Sequence, residues 1–305
     1  MKIGIPRALL YYKYKTLWEC FFKYLGVEII KSPNTNKKIL KKGVKSSIDE
    51  SCLSAKIFMG HVEYLIGKCD YILIPRMASV EKNEELCTKF FALPDIIINS
   101  FPKAKIITYN VDVRNGKKEK IAYIDLGLSL GFDKKIVKRA YEYAKAQEQL
   151  TNMRRVEYQL EDLKATNLKV LIVSHPYNLY DEFIGKPIID YLRKLQVVPI
   201  FADVAVKKDA LKMSKKLSNR LYWTFNKELL GGIEIYKNNV NGIIIISSFP
   251  CGPDSLVNDL IVRKITDKPI INLIVDEQES MTGIQTRLES FIDILEMREK
   301  DRWKI

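Results

Sequence analysis

Three cysteines stand where loops run into helix-forming sequence: Cys52 in IDESCLSAKIF, Cys87 in EELCTKFFALPD and Cys251 in SSFPCGPDSL. A thiolate is a metal ligand and a nucleophile, and the positive end of a helix dipole favours negative charge. Three such thiolates from distant parts of one chain point to an iron–sulfur site held by three cysteines, with one iron left open. The competing reading is burial as small apolar groups. It is the reading for Cys20, which lies beside Phe21 and Phe22 on an amphipathic stretch, and for Cys69, which precedes an apolar run. Cys251 resists it: the apolar strand GIIIIS delivers it to a sheet edge, Gly252 allows close backbone approach, and Pro253 opens a helix.

Other groups with chemistry sit at strand ends. His175 closes an apolar strand in SHPYNLYDEF, and that loop also offers Tyr177, Asn178, Tyr180 and Asp181. Binding and plain turn chemistry are both open for it. Asp276 and Glu277 end INLIVDE, and Arg287 on the next helix is placed to meet one of these carboxylates or a ligand phosphate. His61, inside the helix after Cys52, reads as a hydrogen-bonded structural group. GIPRALLYY matches neither glycine-rich phosphate-loop pattern.

Composition narrows the classes. Five cysteines, irregularly spaced, argue against a disulfide framework, and without a CxxC pair there is neither a thioredoxin motif nor a ferredoxin-type run. No apolar stretch reaches the roughly 18 residues of a membrane span, and MKIGIPRALLYY reads as strand and turn rather than as a leader, so a cytoplasmic location is expected. The net charge of +13 fits a phosphorylated ligand or an acidic partner. The lysines are scattered, with no basic stripe interleaved with aromatics, which argues against nucleic acid.

Strand and helix signals alternate along the chain, the pattern of parallel sheets covered by helices on both faces. The expected fold is α/β, with two Rossmann- or flavodoxin-like parallel-sheet domains and a helical connector. Residues 1–165 form the first domain, with Cys52, Cys87 and a long polar helix over 133–165. Residues 166–305 form the second, with Cys251. In the second series, residues 207–238 read as mostly helical with an interruption at Gly231-Gly232. Ligands in such sheets bind at the carboxyl ends of strands.

With these residues in view, KIGIPRALLYYKYKTLWECFFKYLGVEII, DESCLSAKIFMGHVEYL, DYILIPR, LCTKFFALPD, SHPYNLYDEFIG, FPCGPDSL and DEQESMTGIQTRLESFID resemble the acyl-CoA dehydratase activase-related proteins. Those lie in the wider family of 2-hydroxyglutaryl-CoA dehydratase and benzoyl-CoA reductase subunits and double-cubane-cluster proteins. The resemblance implies a cluster of four irons and four sulfides (4Fe–4S) held by Cys52, Cys87 and Cys251, its fourth iron open. It also implies low-potential electron transfer to a bound substrate such as a 2-hydroxyacyl-CoA, with the electron supplied by a separate ATP-dependent activase. The chain is short for a catalytic dehydratase subunit and is closer to the activase-related branch. Two classes therefore stand side by side: a redox enzyme or its subunit, acting as a reductase or a dehydratase-like lyase, and a non-catalytic electron carrier or cluster-handling accessory that docks an activase. A plain CoA- or nucleotide-binding protein with structural cysteines is a third. The pattern leaves room for a dimer.

Overall fold

The computed structural model describes residues 1–278 and 280–302; Glu279 and residues 303–305 of the expected second domain lie outside the described residues. The chain divides into two units: Met1–Asn152 with Tyr222–Thr224, and Met153–Leu221 with Phe225 onward.

The first unit runs β1 (Lys2–Ile5), α1 (Tyr11–Tyr24), β2 (Glu28–Lys31), α2 (Lys37–Lys45), α3 (Leu53–Leu65), β3 (Tyr71–Leu73), β4 (Arg76–Ser79), α4 (Thr88–Ser100), β5 (Ile106–Ile107), β6 (Asn110–Asp112) and α5 (Glu119–Ser129), then enters α6 (Lys134–Asp162). Its main sheet is parallel, in the order β2-β1-β3-β5. The run 105–110 divides: Ile106–Ile107 pairs with β3, whereas Asn110–Asp112 pairs with β4 in a separate two-stranded ribbon. Helix α1 turns Tyr11, Tyr14, Leu17, Trp18, Phe21 and Phe22 into the core. Trp18 Nε1 donates to the Tyr109 hydroxyl at 2.8 Å, satisfying a buried indole. The short strap at 222–224 joins this unit, with Trp223 bridging to Glu85.

The second unit comprises β7 (Lys169–Val173), α7 (Pro176–Leu179), α8 (Lys186–Lys194), β8 (Val198–Phe201), α9 (Lys207–Met213), α10 (Thr224–Tyr236), β9 (Gly242–Ser248), α11 (Gly252–Lys264), β10 (Ile270–Val275) and α12 (Met281–Arg302). Its sheet is again parallel, in the order β10-β9-β7-β8. Every residue of β9 is buried, as a central parallel strand requires. Within this unit the end of α6 is fastened by Gln159, which accepts from the Phe201 amide and donates to the Phe201 and Val204 carbonyls.

The glycine pair at 231–232 does not interrupt its helix: α10 runs through it, and the chain breaks instead between α9 and α10. A Cβ on Gly231 would sit 1.9 Å from the Ala210 carbonyl oxygen, and one on Gly232 1.9 Å from that of Ala202. These glycines exist for backbone approach, not for a helix stop. No helix among the described residues is long and apolar enough to cross a membrane.

Candidate functional site

All three candidate cysteines occupy the same kind of position. Cys52, Cys87 and Cys251 are the N-cap residues of α3, α4 and α11, each helix being 13 residues long. Their φ/ψ values, −62/150, −54/134 and −93/110, lie outside the helical region. Each backbone carbonyl accepts from the first turn, from Lys56, Phe90 and Ser255 respectively. No thiol caps its own helix. All three are partly exposed, and none of the chain's five cysteines is in a disulfide.

In the first unit, Lys89 from the opening turn of α4 brings its Nζ to 4.0 Å from the Cys52 sulfur. A cation there complements negative charge on sulfur. Helix α3 is set against α2 with little clearance, since a Cβ on Gly60 would lie 2.1 Å from the Ile39 carbonyl oxygen.

The second unit builds a buried polar cluster at the carboxyl ends of β7 and β9. In the order β10-β9-β7-β8 the chain reverses direction between these two strands, the crevice in which open α/β sheets bind ligands. His175 follows β7, and Cys251 and Asp254 follow β9. His175 Nε2 lies 2.9 Å from Asp254 Oδ1, and Asn226 Nδ2 donates to the same oxygen at 3.0 Å. The Cys251 thiol also bonds the Asp254 carboxylate. Burial alone would raise the Asp254 carboxyl, but these partners outweigh it and hold it below the usual carboxylate range. An ionised Asp254 accepts the Nε2 proton and thereby fixes the His175 tautomer. The other ring nitrogen, Nδ1, is buried without a hydrogen-bond partner among the described residues. The Tyr177 ring stacks on the imidazole, centroids 4.9 Å apart and planes 17° apart. Ser248 donates to Asn178 at 2.8 Å, Ser174 to the Ile246 carbonyl at 2.7 Å, and Asn258 to Ser247 at 3.1 Å.

The remaining sequence candidates have local work. Asp181, buried, accepts from the Phe183 and Ile184 amides and shapes the loop. Asp276 accepts from the Gln278 amide at 2.7 Å, and Arg287 donates to the Asn272 carbonyl at 2.7 Å. His61 is the structural group expected, with Nδ1 2.8 Å from Ser32 Oγ and Nε2 3.0 Å from Thr35 Oγ1. Cys69 packs against Gly4 and donates to the Leu65 carbonyl. Cys20, expected in the core, is instead half-buried at the edge of the α1 stripe. It sits at position 20, one place before the buried Phe21 and two after Trp18, so helical geometry turns it off the stripe.

Asp254, Asn226 and Lys89 were missed from sequence. For Asp254 a signal existed: an acid in the first turn after an N-cap cysteine. Asn226, near the start of another helix, and Lys89, one of many lysines, carried none.

Residues 2–205 match the model of the CoA enzyme activase uncharacterised domain. The chain belongs to that family. The match is to an activase-associated domain and does not extend to the dehydratase subunits that the sequence also resembles. No curated protein matches the chain. Cys52, Cys87 and His61 lie inside the matched stretch, as does His175, while Cys251 and Asp254 follow it. Among the described residues, no three His, Cys, Asp or Glu side chains stand gathered as a metal site. Each of the three thiols stands at the amide-rich end of its own helix, a position that favours negative charge on sulfur.

Proposed function

We propose that this protein is an iron–sulfur redox protein of a CoA-enzyme activation system, with Cys52, Cys87 and Cys251 holding a 4Fe–4S cluster whose fourth iron is open to a ligand. The observation that carries the reading is the shared N-cap position of the three thiols. A helix N-terminus offers N–H donors to the negative charge of thiolates and sulfides. When bound, such a cluster supplies a low-potential electron and a Lewis-acidic iron to the same ligand atom.

The chain's own residues do the rest. Lys89 offsets charge at Cys52. Asp254 holds His175 in one tautomer, so that Nδ1 faces a ligand as a hydrogen-bond acceptor and takes the proton of a ligand hydroxyl. Tyr177 fixes the plane of the ring. A 2-hydroxyacyl thioester carries such a hydroxyl, which supports a small acyl-CoA as the substrate class. The sequence carries no phosphate loop of its own, so the electron comes from a separate ATP-dependent activase, and the excess positive charge steers that encounter.

The family match favours a second reading as well: an accessory that docks an activase and relays its electron without turning over a substrate. Anaerobic purification followed by iron and sulfide analysis and electron paramagnetic resonance tests the shared part. About four irons per chain supports both readings; iron-free protein prepared without oxygen defeats both. Turnover of 2-hydroxyacyl-CoA with added activase, ATP and reductant then separates enzyme from accessory.

A further inference from the structure

Arg7 is a cation with no ion-pair partner among the described residues, set at the switch point of the first unit's sheet. It follows β1 by one residue, and in the order β2-β1-β3-β5 the chain reverses between β1 and β3. Ligands of open parallel sheets bind outside the carboxyl ends of the strands at that point. The Arg7 amide donates to Ser32 Oγ at 2.8 Å. Its guanidinium meets the Asn34 side-chain carbonyl and the Tyr11 phenol, neither of which carries charge at neutral pH. Its Nε is buried and has no hydrogen-bond partner among the described residues.

The nearby anion is already engaged. Glu19, the one carboxylate in this network, is held by Lys31 at 3.2 Å and accepts from the Tyr11 hydroxyl. His61 is wholly buried between Ser32 and Thr35, and burial, with Arg7's charge as a second cause, pushes its pKa down to about 3. It is therefore neutral and adds no second positive charge beside Arg7. A half-buried guanidinium with an unmade N–H is costly unless an acceptor arrives. Its planar fork matches an oxyanion, and the net charge of +13 favours a multiply charged one.

We propose that Arg7 anchors a phosphate-binding site, taking the phosphate group of a small ligand seated outside the carboxyl ends of β1 and β3. The test uses the full chain and three probes, inorganic phosphate, pyrophosphate and ADP, with acetate as the carboxylate control. Binding is read by calorimetry, and Arg7 itself by the rate of phenylglyoxal labelling in peptide mass spectra. At least one phosphate probe binds, slows labelling of Arg7, and binds Arg7→Gln about tenfold more weakly or worse, with Arg7→Lys in between. Protection by inorganic phosphate identifies free phosphate as sufficient; protection by pyrophosphate or ADP alone identifies a diphosphate ligand. Equal binding to Arg7→Gln, failure of every phosphate probe to protect Arg7, or equal protection by acetate overturns the proposal. If Arg7→Gln does not fold, the labelling of the unaltered protein decides alone.

Discussion

His175 Nε2 and Asp254 Oδ1 meet at 2.9 Å across 79 residues of sequence, tying the loop after β7 to the first turn of α11. Both side chains are buried, at 4% and 5% exposure. Removing the carboxylate strands two buried partners at once, the imidazole and the Asn226 amide. We expect Asp254→Ala to destabilise the protein by about 1–3 kcal/mol. Asp254→Asn should cost less, because an amide oxygen still accepts. Denaturant unfolding under anaerobic conditions measures both. Equal stability of the Ala variant and the parent would show that the cluster is not the hub described.

The His61 site makes stability depend on pH. The imidazole titrates near 6.5 in an unfolded chain and near 3 in the fold, chiefly because burial disfavours the cation and secondarily because Arg7 repels it. Between these values the unfolded state binds the extra proton, so stability rises with pH. Its contribution is complete above about pH 6.5 and is lost as pH falls, at roughly 1.4 kcal/mol per pH unit, until about pH 3. His61→Gln should flatten the stability curve between pH 7 and 5. Parallel curves for parent and variant would contradict the assignment.

Cysteine substitutions sort ligands from packing. Cys52→Ala, Cys87→Ala and Cys251→Ala should each lose most of the iron from anaerobically prepared protein. Cys20→Ser and Cys69→Ser should retain it, since one thiol lies at the edge of α1 and the other packs on Gly4. Iron-to-protein ratios for the five variants decide the matter. Retention of iron by all three alanine variants would end the three-thiol reading.

Glycine packing gives a test that needs no cofactor. Alanine at Gly231 would place its Cβ 1.9 Å from the Ala210 carbonyl oxygen, and alanine at Gly60 2.1 Å from that of Ile39. Backbone cannot step aside as a side-chain tip can, so each variant should lose about 1–3 kcal/mol. Gly252→Ala, where an added Cβ meets nothing within 4 Å, is the matched control. Thermal melts of the three variants are sufficient. Unchanged melting of Gly231→Ala would mean that α10 does not pack as described.

The sequence by itself determined the alternation of strands and helices, the apolar strands KVLIV and GIIIIS, and the cysteines that open helices, because these signals are local: period, punctuation and a loop before an amphipathic run. It likewise pointed to His61 as a hydrogen-bonded structural group, as its contacts with Ser32 and Thr35 bear out. Tertiary structure decided what depends on chain segments far apart. It split the run 105–110 between a sheet and a ribbon, according to which strand each half meets. It turned Gly231-Gly232 from an apparent helix stop into a contact surface, because glycine's lack of a Cβ serves both ends and only the Ala202 and Ala210 carbonyls say which. It made Asp254 the centre of a polar cluster through His175 and Asn226, 79 and 28 positions away. It left the Arg7 Nε without a hydrogen-bond partner among the described residues. Hydrogen-bond partnership and burial are properties of surroundings, and surroundings are assembled by the fold rather than written next to the residue that needs them.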